Sequence, residues 1–107
     1  MQRVLIVLLL ILPTDLALAN QVAEGKAVFD EKCLPCHNSA GTGTIMLGKR
    51  LGEENALLSE RRNLNAAYIK TVLRYGMGSM PWYRRTEISD AEADAIAAYL
   101  TRKNNNP

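Results

Sequence analysis

Both cysteines of this 107-residue chain and its single histidine fall within five consecutive residues, Cys33-Leu34-Pro35-Cys36-His37. Two thiols separated by two residues can reach the two vinyl groups along one edge of a porphyrin, each closing a thioether bond. The imidazole that follows is then carried beneath the ring to bond the iron. C-x-x-C-H is the spacing of covalent haem attachment. The expected cofactor is one covalently attached haem c with its iron, anchored by Cys33 and Cys36, with His37 as the proximal axial ligand. Pro35 is expected to stiffen the short loop between the thiols. Two other chemistries share part of the pattern. A thioredoxin-type redox disulfide expects a surrounding βαβ pattern, and no convincing run of alternating apolar residues exists here. A structural zinc usually takes four Cys or His ligands, and the chain owns three such side chains.

The second chemically loaded stretch is Gly76-Met77-Gly78-Ser79-Met80-Pro81-Trp82-Tyr83. A haem held by one histidine has a sixth position to fill, and with no second histidine the chain cannot supply a bis-histidine iron. Methionine is then the leading candidate, because its soft, neutral thioether as partner to histidine raises the reduction potential. Met77 and Met80 compete. Pro81 fixes an extended backbone at Met80, and Gly76 and Gly78 let the chain come close to the ring, so Met80 is the expected distal ligand. Trp82 and Tyr83 are expected to wall off water. Met77, between two glycines, reads as a flexible surface or pocket-lining side chain and is the less favoured ligand; Met46 reads as core packing. With both axial sites filled, no position remains for substrate or oxygen, which points to a single-electron carrier rather than a catalyst. The alternative is a haem enzyme or gas or redox sensor with a weak or absent sixth ligand, and an enzyme would need a distal acid or base that no remaining histidine can supply.

Elements that could position these residues read as helices. A first helix over about Val22 to Lys32, with Val22, Gly25, Val28 and Phe29 at helical intervals, leads straight into Cys33. A second begins at Asn65, a fitting N-cap, and runs through Ile69, Val72 and Leu73 to a stop at Gly76. The last opens on Ser89 with Glu92 three residues later, a capping box, and continues through Ile96, Tyr99 and Leu100. Asp90, Glu92 and Asp94 suit the positive end of that helix. Glu53 to Arg62 could add a short helix, and the tail Asn104 to Pro107 is expected to be disordered.

Residues 1–19 read as a signal peptide: Arg3 supplies a positive start, Val4 to Leu12 are nine apolar residues, Pro13 breaks the run, and Ala17-Leu18-Ala19 is a small-x-small cleavage site. Nine apolar residues fall short of the roughly 20 that span a membrane, so no integral span is expected after cleavage. Residues 20–107 would then form one exported, periplasmic domain of 88 residues. A domain this small is marginal alone, and a porphyrin packed at its centre would supply the missing apolar core. The net charge of +2 survives cleavage, because Arg3 and Asp15 leave together. From Gly41 to Thr86 eight basic side chains face three acidic ones, a net of +5, and the terminal helices carry the compensating acids. Such a surface would steer an acidic protein partner. Nucleic acid is not expected, since the basic residues are scattered and no recognised binding motif is present.

The order of N-terminal helix, Cys33-to-His37 motif, a Gly41-x-Gly43 loop, mid-chain helix, Met80-Pro81 and C-terminal helix resembles the class I, mono-haem cytochromes c over nearly the whole of residues 20–107. That resemblance implies an all-α fold, a small cytochrome c fold of three main helices wrapped around one haem. It also implies that Gly25 and Phe29 of the first helix cross Ile96, Tyr99 and Leu100 of the last. One departure stands out. After the Gly-x-Gly the family usually has a proline whose carbonyl orients the proximal imidazole; Thr44 stands here, keeping a carbonyl without the proline's rigidity. Residues 51–63 look longer than in the most compact members and read as a surface insertion over the haem edge. The region Tyr68 to Tyr83 is similar to cytochrome partners of flavin- or quinone-dependent alcohol and phenol dehydrogenases. The partners implied are such a dehydrogenase as donor and a terminal oxidase or another cytochrome as acceptor.

Overall fold

A computed structural model of the chain describes Ile6 and residues 14–104. Most of the expected leader therefore lies outside the described residues, as do Asn105, Asn106 and Pro107 of the expected disordered tail. Among the described residues the chain is helical: α1 (Thr14–Lys32), a single turn α2 (Leu34–His37), α3 (Thr42–Leu51), α4 (Ala66–Tyr75) and α5 (Asp90–Thr101), with two 3₁₀ turns at Glu53–Asn55 and Leu58–Glu60. The all-α fold is the one expected. The only β-type pairing among these residues is an isolated bridge between Met77 and Met80.

The core is built where α1 crosses α5. Helix α1 buries Gly25, Val28 and Phe29, a three-to-four-residue stripe that α5 meets with Ala95, Ile96, Tyr99 and Leu100. At the crossing a Cβ on Gly25 would lie 1.9 Å from the carbonyl oxygen of Ala95, so the two backbones touch through the missing side chain. Phe29 and Tyr99 pack with ring centroids 5.5 Å apart at 53°, within the range of favourable aromatic contacts. Ile69 and Leu73 of α4, together with Leu64 and Ile88, complete the cluster. No helix among the described residues is long and apolar enough to cross a membrane.

Local signals set several boundaries. The Asn65 side chain accepts from Tyr68 N at 3.0 Å, and Gly76, at φ +72°, closes α4. Ser89 and Glu92 form the reciprocal pair expected of a capping box: Ser89 N donates to Glu92 Oε1 at 3.0 Å and Glu92 N to Ser89 Oγ at 3.1 Å. Four boundaries differ from expectation. Helix α1 begins at Thr14 rather than Val22, with residues 14–20 exposed. Helix α3 replaces what reads as a glycine loop. Glu53 to Arg62 forms two 3₁₀ turns instead of a helix, held against the end of α5 by Arg102 Nη2 on Ser59 O at 3.1 Å and Lys103 on Glu60 at 2.6 Å. Asn104 is ordered: its Nδ2 donates to Leu64 O at 2.7 Å, which ties the start of the expected loose tail to the core.

Candidate functional site

The C-x-x-C-H residues wind into a helical turn rather than the short loop expected around Pro35. Cys33 N donates to Phe29 O at 2.9 Å, so the turn continues directly from α1, and the Cys33 carbonyl accepts from both Cys36 N and His37 N at 3.2 and 3.0 Å. Pro35 fits without penalty because a first helical turn leaves its backbone donors unused anyway. Cys33 is buried and Cys36 exposed, both as free thiols. Burial pushes the Cys33 thiol up to about 11, which keeps it protonated at neutral pH.

The next turn is held down by contacts that need small residues. A Cβ on Gly41 would lie 2.3 Å from Cys36 O, and one on Gly43 2.8 Å from His37 Cε1 and 3.0 Å from its Nδ1. The Gly-x-Gly spacing thus presses the start of α3 onto Cys36 and the imidazole. Asn38, which carries no signal in the motif, organises the junction. Its Nδ2 donates to Leu34 O and Pro35 O, its Oδ1 accepts from Ala40 N, and its carbonyl accepts from Gly41 N at 3.1 Å and Thr44 Oγ1 at 2.6 Å. An asparagine closing a short turn in this way is the one signal that could have identified it.

His37 is buried, and burial lowers its pKa by disfavouring the charged ring, so the neutral, metal-binding form prevails. Its Nδ1 has no hydrogen-bond partner among the described residues. The carbonyl contact expected from position 44 is not formed. Thr44 is buried inside α3, where the backbone serves the helix ladder, and its hydroxyl is spent on Asn38.

On the other flank, the chain leaving α4 folds back on itself. Gly76 and Gly78 have φ of +72° and +57°, Met77 N donates to Met80 O at 3.1 Å, and Met80 N to Met77 O at 2.9 Å. A Cβ on Gly76 would sit 2.7 Å from Met80 O. Met80 packs against the hydrophobic cluster that contains Cys33, as does Tyr83. Met77 is 36 % exposed, its Sδ 3.8 Å from Arg50 Nη1 and 3.7 Å from Tyr68 Oη. Trp82 is 54 % exposed, with the Arg84 guanidinium 5.4 Å above its ring. One expectation fails here. Met46 is not core. Helix α3 buries Thr44 and Gly48, four residues apart, and position 46 between them is 52 % exposed.

This donor set fits a c-type haem. Two thiols sit at the ends of one helical turn, a buried imidazole whose neutral form is favoured adjoins them, and a thioether lies on the same core as the first thiol. Among the described residues no three His, Cys, Asp or Glu side chains gather as a metal-binding cluster of the zinc kind.

Comparison with known proteins agrees with the chemistry. The family model described as cytochrome C oxidase, cbb3-type, subunit III matches residues 20–100. Cytochrome c6 of Synechocystis sp. is 36 % identical over 84 residues, covering 78 % of this chain and 67 % of the relative. The cytochrome c subunit of the hydroxylating 4-cresol dehydrogenase of Pseudomonas putida is 29 % identical over 83 residues, covering 77 % and 62 %. A cbb3-type cytochrome c oxidase subunit CcoP of Azospirillum sp. is 32 % identical over 89 residues, covering 77 % and 28 %. The chain thus spans under two thirds of the dehydrogenase subunit and under a third of the oxidase subunit. No solved structure matches the chain significantly.

Proposed function

The chain belongs to the cytochrome c family matched by cbb3-type oxidase subunit III, as a mono-haem class I cytochrome with one covalently bound haem c and its iron, and from that premise we propose a six-coordinate carrier of single electrons. Electron transfer is the work of the family, and we assign His37 and Met80 as the iron's two protein ligands. Cys33 and Cys36 hold the haem by thioether bonds. His37 would ligate the iron through its neutral imidazole, and Met80 through its thioether. The haem supplies reversible one-electron chemistry at its iron.

The observation that supports Met80 over Met77 most strongly is its packing against the cluster that contains Cys33, while the Met77 sulfur is turned toward Arg50 and Tyr68. Relatives named as a dehydrogenase cytochrome subunit and an oxidase subunit favour a dehydrogenase as electron donor and a terminal oxidase or further cytochrome as acceptor. A leader over residues 1–19 would deliver the domain to the periplasm, where covalent haem attachment takes place.

Spectroscopy of the holoprotein tests the ligand set. The ferric form is expected to show the weak red charge-transfer band of methionine-ligated iron, and the ferrous form to bind carbon monoxide poorly. Met80→Ala should abolish the band and admit carbon monoxide; Met77→Ala should keep the band. Loss of the band in Met77→Ala alone, or rapid stoichiometric binding of carbon monoxide by the unmodified protein, would overturn the reading.

A further inference from the structure

The segment that carries Met80 is held at two posts. The upstream post is the Met77–Met80 bridge with Gly76 pressed beneath it. The downstream post is Tyr83. Its backbone N–H donates to Leu73 O at 2.8 Å, its hydroxyl reaches Lys32 O at 3.5 Å beside Cys33, and its carbonyl accepts from Arg74 Nη1 at 3.2 Å. Pro81 and Trp82, the only residues between Met80 and that post, are exposed. The same Arg74 nitrogen also donates to Ile88 O at 2.9 Å, and Nη2 donates to Asp90 Oδ1 at 2.9 Å. The Arg74 side chain is 16 % exposed, against 72 % for Arg85, the other arginine on Asp90.

Resting on the reading of Met80 as distal ligand, we propose that Arg74 is a positioning residue for that ligand: from the last turn of α4 its guanidinium clamps the Met80 strap at Tyr83 and the entry to α5 at Ile88 and Asp90. The geometry suits arginine specifically. A planar fork with five fixed donors satisfies two carbonyls and a carboxylate at once, which the single ammonium of a lysine cannot span. The carbonyls of Tyr83 and Ile88 belong to irregular chain, so the clamp gives them partners that helix formation does not. Because only two residues separate Met80 from Tyr83, loosening this post frees the thioether to leave the iron, whereas α4 and α5 remain joined by packing and by the separate Lys70–Asp94 pair at 3.0 Å.

Imidazole added to the ferric holoprotein competes with the thioether for iron, so its apparent affinity reads how readily the strap opens. Arg74→Gln is expected to raise that affinity about tenfold or more, since it removes charge-assisted bonds to two part-buried carbonyls and a carboxylate. Arg74→Lys, which keeps the charge without the fork, is expected to fall between the two. Lys70→Gln, which breaks the other link from α4 to α5 without touching the strap, should stay within about twofold of the unmodified protein. An Arg74→Gln affinity within about twofold of the unmodified protein, in a preparation whose unmodified form shows the red charge-transfer band, overturns the assignment of Arg74 and leaves the Met80 reading standing. Absence of the band from the unmodified ferric protein overturns both. Should Arg74→Gln fail to fold, Arg74→Lys carries the test, and unchanged imidazole affinity there overturns the clamp.

Discussion

Burial at Cys33 bears on the two chemistries that share the C-x-x-C spacing. A redox dithiol needs a thiol whose pKa is lowered so that thiolate forms near neutral pH. Cys33 is 8 % exposed and its thiol is pushed the other way, to about 11, by loss of solvent. Its place beside the core cluster suits attachment to an apolar group packed there. The neighbouring glycine contacts are equally specific. A methyl at position 43 would meet the His37 ring at 2.8 Å and the Cys36 carbonyl oxygen at 2.9 Å. Gly43→Ala is therefore expected to cost about 1–3 kcal/mol of unfolding free energy through overpacking. Thr42→Ala, one residue away and exposed, should stay within about 0.5 kcal/mol. Thermal unfolding of the two holoproteins checks this, and equal stability would show that the imidazole can tilt away freely.

Among the elements, the α1–α5 crossing carries the fold and leaves the least room for change. A Cβ at Gly25 would come within 1.9 Å of a backbone oxygen on α5, which no side-chain movement can relieve. Gly25→Ala should therefore separate the helices and lower stability by about 3 kcal/mol or more, a large share of what a small domain possesses. The expected signature is a lower denaturant midpoint with intact helix content in the absence of denaturant; an unchanged midpoint would mean that the crossing relaxes. Helix α3 shows the limit of local signals. Gly43 and Gly48 each weaken a helix by close to 1 kcal/mol relative to alanine, and Gly41-x-Gly43 reads as a loop. The helix forms because Gly41 at its N-cap and Gly43 in its first turn fit against Cys36 and His37, Gly48 fits against Glu53 and Ala56, and the Thr44 hydroxyl anchors the helix to Asn38. Packing outweighs propensity there.

Across the whole molecule, the fold partly undoes the charge segregation written along the chain. Of the eight basic residues in the middle segment, Lys70, Arg74 and Arg85 form ion pairs with Asp90 and Asp94 of α5. Electrostatic steering toward an acidic partner would thus draw less on the α4–α5 side than the sequence implies. These pairs also set the response to acid. Hydrogen bonds from Arg85 and then Arg74 hold the Asp90 carboxyl below the ordinary carboxylate range; the Ser89 backbone does the same for Glu92, and Lys103 for Glu60. A carboxyl whose folded pKa is depressed contributes stability that is present above its unfolded pKa and is lost as pH falls through the folded one. The denaturant midpoint of the holoprotein should accordingly change little from neutrality toward pH 5 and fall below about pH 4. A midpoint that rises on acidification through that range would contradict the pairing.

What the sequence determined by itself was whatever is encoded within a few residues: the Cys33-Cys36-His37 spacing, the Asn65 cap, the Ser89–Glu92 capping box, the Gly76 stop and the Gly25–Phe29 stripe. Each rests on a side chain acting on its own backbone or on one helical face, so spacing alone reveals it. Only the tertiary structure decided that Asn38 and Thr44 lock α3 onto the proximal turn, that Trp82 faces solvent while Tyr83 anchors the strap, and that Arg74 reaches carbonyls 9 and 14 residues away. Such contacts are made to backbone carbonyls, which every residue possesses, and so no pattern of side chains announces them before the chain has folded.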